Sequence, residues 1–137
     1  MKIFFSTINF CEKLNIYKSG KNTVKEVFDD NNKMVKRIEY DEFNRDVDAK
    51  SFDVSGELQE HLHKEYYKKT NEEGVLETFK NKTQEYVRKS YTKVENGFKY
   101  TVDDFQSKTK NYKNEFVHDT MGKLIKVINN GQVINIK

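Results

Sequence analysis

The chain has 137 residues, a length typical of one domain, and its 25 basic and 22 acidic residues give a net charge of +3. A single cysteine, Cys11, excludes an intramolecular disulfide and cysteine-rich metal clusters. It suits the reducing cytoplasm, where we expect the protein; the alternative is a secreted or surface-associated protein, since a secreted bacterial protein can also lack disulfides. No apolar stretch approaches the ~18 residues of a membrane span, so we expect a single domain of residues 1–137 with no membrane span.

The first predicted element is a β-strand at the N-terminus, residues 1–11. One positive charge followed by an apolar run is also typical of a secretory leader. However, Ser6, Thr7 and Asn9 interrupt the run, and no small-residue cleavage site follows it. We therefore predict a strand here rather than a leader.

Turn signals then recur along the chain. The strongest are Asn96-Gly97 and Asn130-Gly131, because a type I′ hairpin turn needs positive φ at both central residues. They predict hairpins that join residues 86–94 to 98–102 and 124–128 to 133–136. Weaker turns are predicted at Ser19-Gly20, Asn31-Asn32, Phe43-Asn44, Ser55-Gly56, Glu73-Gly74 and Met121-Gly122.

Residues 57–69 fit either of two secondary structures. Leu58, Leu62 and Tyr66 follow helical spacing, and Ser55 is a suitable helix cap, but the same residues also share one face of a strand. We favour a strand, since turn signals lie on both sides, and we also predict a strand for residues 83–91. The predicted fold is all-β or β-dominated: an antiparallel meander of eight to eleven strands, either open or barrel-like, with one short helix at residues 57–69 as the alternative.

Some of these turns share a short phrase: an aromatic residue or His, then Asp, two variable residues, Gly or Asn, and a charged residue. It occurs in residues 28–34, 40–45, 52–58 and 118–124. The phrase resembles the YD repeats of bacterial Rhs-type surface and toxin proteins, and more loosely the hairpin repeats of YwqK-like antitoxin proteins. The resemblance implies a β-sheet scaffold with a structural or binding role. The alternative is that the phrase reflects only the chemistry of hairpin turns.

Aromatic and basic residues interleave in three segments. Rings beside cations suit single-stranded nucleic acid, and exposed tyrosines suit a protein partner. The alternative is structural, with tyrosines covering half-buried strand faces and lysines protecting sheet edges. The candidate binding surface consists of Tyr66, Tyr67, Arg88, Lys89, Tyr91, Lys110 and Tyr112.

Three histidines are the candidate acid and base groups. His61, His63 and His118, with neighbouring lysines, contain the components of a ribonuclease-type site. His61 and His63 share a strand face, as a metal pair would, but no third ligand is evident. The sequence contains no phosphate-binding glycine loop and no nucleophile motif. We therefore expect no metal and no cofactor, and favour a protein that is not an enzyme.

The sequence leaves three functions open. We favour a non-enzymatic protein-binding module, a small bacterial immunity or antitoxin-type protein that neutralises a partner by surface complementarity. The first alternative is a nucleic-acid-binding protein or toxin nuclease that uses its His and Lys residues. The second is a YD-like fragment of a surface scaffold.

Overall fold

A computed structural model describes residues 13–136 of the chain, and all regular secondary structure in this range is β-strand. The predicted all-β class is confirmed, whereas the predicted strand at residues 1–11 lies outside the described residues. No helix in the described range could span a membrane. The strands are β1 (Lys13–Ser19), β2 (Asn22–Phe28), β3 (Met34–Tyr40), β4 (Asp46–Phe52), β5 (Leu58–Lys69), β6 (Glu72–Asn81), β7 (Glu85–Glu95), β8 (Phe98–Ser107), β9 (Asn111–His118), β10 (Leu124–Asn129) and β11 (Gln132–Asn135).

The strands follow one another in the sheet in chain order, as the meander prediction requires. The order runs from β1 to β11 and does not close into a barrel within the described residues. The chain also divides inside β5 into two compact units, Met1–His63 (unit 1) and Lys64–Lys137 (unit 2). The single domain stays a prediction.

Strand β5 resolves the ambiguity at residues 57–69 in favour of the strand. Its first half pairs antiparallel with β4, with Leu62 opposite Ala49 and His63 opposite Asp48. The backbone groups of this segment are thus paired with a neighbouring strand and not within a helix. Of the predicted strand at residues 83–91, the part from Glu85 onward belongs to β7, while residues 83–84 lie in the turn before it.

The four copies of the repeated phrase fold into the same turn. In the third copy the Asp53 N–H donates to the Glu57 carbonyl (2.9 Å), and the Asp53 carbonyl accepts from the Gly56 N–H (2.9 Å). Asp53 Oδ1 also accepts from the N–H groups of Ser55 (3.0 Å) and Glu57 (2.9 Å). The other copies repeat these bonds around Asp29, Asp41 and Asp119. The Asp is therefore accounted for by turn geometry.

The Gly or Asn of the phrase occupies a left-handed backbone position. The φ angles are 60° at Asn32, 64° at Asn44, 90° at Gly56 and 85° at Gly122. Gly and Asn tolerate this region better than other residues, which explains why the two alternate in the phrase.

We expect Gly56→Asn to change the free energy of unfolding by less than about 0.5 kcal/mol, and Gly56→Ala to lower it by about 1 kcal/mol. A Cβ at this position meets nothing within 4 Å, so the difference reports backbone conformation alone. Urea denaturation of the two variants measures it. Equal stabilities for the Asn and Ala variants would contradict this account of the phrase.

Most of the predicted turns are confirmed, and one is wrong. Asn96-Gly97 and Asn130-Gly131 both have positive φ and join β7 to β8 and β10 to β11. The turn predicted at Glu73-Gly74 lies instead at residues 70–71, and Gly74 is inside β6. A Cβ on Gly74 would lie 2.8 Å from the Ser90 carbonyl oxygen. This glycine therefore allows a close approach between strands and not a turn.

The hydrophobic core of the described residues is very small. Val24 in β2, Val102 in β8 and Val117 in β9 are the hydrophobic side chains with 0, 4 and 2% exposure that count as buried there. Each lies on a strand that is paired on both sides. Cross-strand side-chain pairs must therefore contribute much of the stability.

Candidate functional site

Strand register places four of the seven predicted binding residues on two faces of unit 2. Tyr86 pairs with Phe79, and Phe105 pairs with both Arg88 and Tyr112, so these side chains share one face, which we call the aromatic face. Lys89 and Tyr91 alternate with Arg88 and lie on the other face. That face carries Val102 and Val117, and we call it the valine face.

The remaining predicted residues follow from contacts and alternation. The Tyr67 ring lies under the Lys89 ammonium on the valine face, and Tyr66 alternates with Tyr67 along β5. Lys110 lies in the turn between β8 and β9, with its ammonium 5.4 Å from the centre of the Tyr112 ring. The structure thus brings Tyr67, Lys89 and Tyr91 together, and it separates them from Arg88 and Tyr112.

Four aromatic rings form a row across β6 to β9 on the aromatic face. Ring centroids are 5.1 Å apart for Phe79 and Tyr86, 5.0 Å for Tyr86 and Phe105, and 5.2 Å for Phe105 and Tyr112. Interplanar angles of 23°, 33° and 10° show that the ring faces pack largely against one another. Sequence reasoning missed Phe79 and Phe105. Each is an aromatic residue two positions before the end of its strand, and that shared position is the signal by which they could have been found.

Arg88 forms a bidentate ion pair with Asp103 beside this row. Its Nε and Nη2 atoms each donate to a carboxylate oxygen of Asp103 at 2.8 Å, and the Tyr112 hydroxyl lies 3.4 Å from Oδ2. The hydrogen bonds from Arg88 lower the pKa of Asp103 more than partial burial raises it. The same bonds raise the pKa of Arg88. The one predicted arginine of the binding surface is therefore engaged within the protein.

We expect the Arg88–Asp103 pair to make stability depend on acid pH. Because the folded-state pKa of Asp103 is lowered, the contribution of the pair is present above the unfolded value of about 3.9 and is lost as pH falls through the folded value. The pair is partly exposed, so we expect a coupling of at most about 1 kcal/mol at neutral pH. A double-mutant cycle with Arg88→Met and Asp103→Asn, measured at neutral and acid pH, tests this. A coupling that persists at the lowest pH would contradict it.

Two lysines of the valine face, Lys89 and Lys93, are also locally paired. Lys89 Nζ lies 4.7 Å from the Tyr91 ring centre, 5.7 Å from that of Tyr67 and 4.0 Å from Glu72 Oε1. Lys93 Nζ lies 5.0 Å from the Tyr100 ring centre and 3.6 Å from Glu95 Oε2. These cations therefore balance charge within the sheet.

Tyr67 is the predicted tyrosine whose hydroxyl is buried without a hydrogen-bond partner among residues 13–136. Burial, followed by the charges of Glu72 and Tyr91, raises the pKa of its hydroxyl. The hydroxyl also lies where a side chain on Gly74 would be, so the ring covers the glycine of the neighbouring strand.

Two of the three histidines share one carboxylate in unit 1. His61 Nε2 lies 2.7 Å and His63 Nδ1 3.1 Å from Asp48 Oδ1. Burial raises the pKa of Asp48, but the hydrogen bonds with His61 and then His63 outweigh it and leave the pKa lowered. A carboxylate in this position orients both imidazoles.

The third histidine, His118, lies in unit 2 at the end of β9. Its Nδ1 atom is buried and has no hydrogen-bond partner within residues 13–136. Over the same residues, no group of three or more His, Cys, Asp or Glu side chains is arranged to hold a metal ion. Unit 1 therefore contains a pair of imidazoles oriented by one carboxylate, and unit 2 contains a single imidazole.

A group of exposed lysines lies at one end of unit 2, where β6 turns into β7 and β8 turns into β9. In the first turn Asn81 Oδ1 accepts from the Thr83 N–H (2.9 Å), and in the second Ser107 Oγ accepts from the Lys110 N–H (3.0 Å). Both turns are thus held by the side chain of their first residue. We call this group the basic end, and its members are Lys80, Lys82, Lys108, Lys110 and Lys113.

A shallow cleft of about 450 Å³ adjoins the basic end. Asn130 closes one side, because its N–H donates to the Lys113 carbonyl (2.8 Å) and its Oδ1 accepts from the Lys113 N–H (2.7 Å). Sequence reasoning identified Lys110 and Tyr112 here as binding residues and missed Lys80 and Lys82 of the basic end. The cleft is lined by Asp104, Phe105, Gln106, Asn111, Tyr112, Lys113 and Asn130.

Comparisons of the chain with models of known protein families, with curated proteins and with solved structures find no match.

Proposed function

We propose that the protein is a non-enzymatic protein-binding module, of the kind that neutralises a partner as immunity and antitoxin proteins do. The observation that carries the proposal is apolar exposure on ordered strands. Ile16 in β1 and Ile134 in β11 are 62% and 53% exposed, and every residue of both strands is exposed. Apolar side chains on regular strands offer a partner protein contact area at little ordering cost.

The predicted arginine of the binding surface is engaged within the protein, where Arg88 is directed at Asp103. His61 and His63 are both directed at Asp48 through one ring nitrogen each. The second ring nitrogen of an imidazole held in this way can serve as a general base, and the nuclease alternative is tested for that reason. The resemblance of the repeated turn phrase to YD repeats favours binding, since those repeats form scaffold.

The aromatic row gives less support to a nucleic-acid-binding function. Bases stack on ring faces that are open to solvent. In the row, Tyr86 packs against the rings of both Phe79 and Phe105. The two central rings therefore have little face left for a base.

The test is recovery of a partner from the native host. We expect the immobilised full-length chain to recover one protein from a nuclease-treated lysate, and the two purified proteins to form a stoichiometric complex by light scattering. Recovery of nucleic acid alone from a parallel lysate without nuclease, or failure of the purified pair to associate, would contradict the proposal.

A second measurement tests the enzymatic alternative directly. The purified protein is incubated with total RNA and DNA, with and without divalent metal. We expect intact substrates and no salt-dependent gel shift. Cleavage that is lost in His61→Ala or His118→Ala would replace the proposal with the nuclease alternative.

A further inference from the structure

We infer that the basic end is the docking site for an acidic segment of a partner protein, an inference that rests on the proposed function for the protein nature of the partner. The five lysines lie on two turns and the adjoining ends of β6 and β9. Since β6 and β9 are three strand spacings apart, their backbones are separated by about 14 Å. An extended segment of a few residues spans this distance.

Two lysines of the basic end have a carboxylate opposite them in the register. Lys80 is opposite Glu85, and Lys113 is opposite Asp104. The ion pairs of Arg88, Lys89 and Lys93 lie elsewhere in unit 2. The turn lysines Lys108 and Lys110 have no strand partner, and their positive charge is complementary to an acidic partner.

Three of these lysines have no carboxylate partner in the described range. Lys108, Lys110 and Lys113 are exposed and form no ion pair among residues 13–136. Elsewhere in unit 2, Lys89 and Lys93 each lie within 4.0 Å of a carboxylate. At the basic end, added negative charge therefore meets three exposed cations that no carboxylate among the described residues neutralises.

The cleft beside the lysines offers polar groups to the segment. Gln106 and Asn111, which are opposite each other in the register, and Asn130 supply side-chain amides. The matching ligand is an acidic segment, because its carboxylates accept hydrogen bonds from amide N–H groups.

The rings at this site favour a peptide over a nucleic acid. Tyr112 packs against Phe105, with centroids 5.2 Å apart, and the Lys110 ammonium lies 5.4 Å from the Tyr112 ring centre. The Tyr112 ring is therefore already in contact with Phe105 and Lys110, and it does not offer open faces on which successive bases could stack.

The test compares defined probes on the full-length protein. The probes are a Glu-rich peptide with one tryptophan, the same peptide with Gln in place of Glu, and a thymidine oligonucleotide. We expect salt-dependent binding of the Glu peptide, and binding weakened about fivefold to tenfold in the Lys108→Gln, Lys110→Gln variant. The matched control is Lys68→Gln, Lys69→Gln, which removes the same charge from exposed lysines on β5, and it should bind like the wild type.

Three results overturn the inference: no binding of the Glu peptide, equal weakening in the control variant, or tighter binding of the oligonucleotide than of the peptide. Its failure is separable from that of the proposed function. A host complex that survives the Lys108→Gln, Lys110→Gln change leaves the proposed function intact and removes the basic end as its site. Peptide binding at the basic end without any host protein complex supports the basic end as a docking site and contradicts the proposed function.

Discussion

Gly74→Ala should lower the free energy of unfolding by about 2 to 3 kcal/mol, although alanine is ordinarily favoured over glycine inside a strand. The added Cβ would lie 2.5 Å from Tyr91 Cβ, 2.6 Å from the Tyr67 hydroxyl and 2.8 Å from the Ser90 carbonyl oxygen. Two of these neighbours are attached to the backbone of β7, which is held by its pairing with β6 and β8. The close contacts of the added Cβ can therefore be relieved only if β6 and β7 move apart. Urea denaturation monitored by circular dichroism measures the loss.

Two further variants separate this contact from a general effect of alanine in β6. Thr78→Ala, on the same strand and face as Gly74, should cost less than about 1 kcal/mol. Tyr67→Phe should recover part of the loss when combined with Gly74→Ala, because it removes the hydroxyl but not the contacts with β7. A Gly74→Ala protein as stable as the wild type would show that β6 and β7 are not in such close contact.

Val117→Ala should lower the free energy of unfolding by about 2 kcal/mol, since it deletes buried methyl groups and leaves a cavity. Val117 is 2% exposed and lies opposite Tyr100 on the valine face. Because so few side chains are buried among residues 13–136, this is a substantial fraction of the total stability. Thermal and urea denaturation of the variant measure the effect.

The control for this variant is Val87→Ala on the same face of β7, where the side chain is 43% exposed. We expect it to cost less than about 1 kcal/mol. Equal losses at the two positions would mean that strand propensity, and not burial at Val117, stabilises the sheet.

The turns were the part of the fold most open to sequence prediction. Asn96-Gly97 and the Asp of the repeated phrase act through bonds within a few residues, so their neighbours in the chain are sufficient to identify them. Gly74 is a residue whose role could not be predicted from its neighbours in the chain. Its sequence context is that of a turn, but its role depends on Tyr67 and Ser90, which belong to other strands.

The candidate site was less open to prediction for a related reason. Lys110 and Tyr112 are adjacent in sequence to other lysines and were identified from that interleaving. Lys80 and Lys82 are about thirty residues earlier, and the antiparallel order of β6 to β9 brings them to the same end. Arg88 was identified as a binding residue, but Asp103 is its partner only through the register of β7 and β8.

The sequence by itself determined the all-β class, the antiparallel order of hairpins and most of the turns, because turn chemistry and strand propensity act over a few neighbouring residues. Only the tertiary structure decided that residues 57–69 are a strand, that Gly74 is a close contact, and that the predicted binding residues of unit 2 lie on two faces. The physical reason is register. In a sheet, one residue of shift moves a side chain to the opposite face, and that choice is made by pairing between strands.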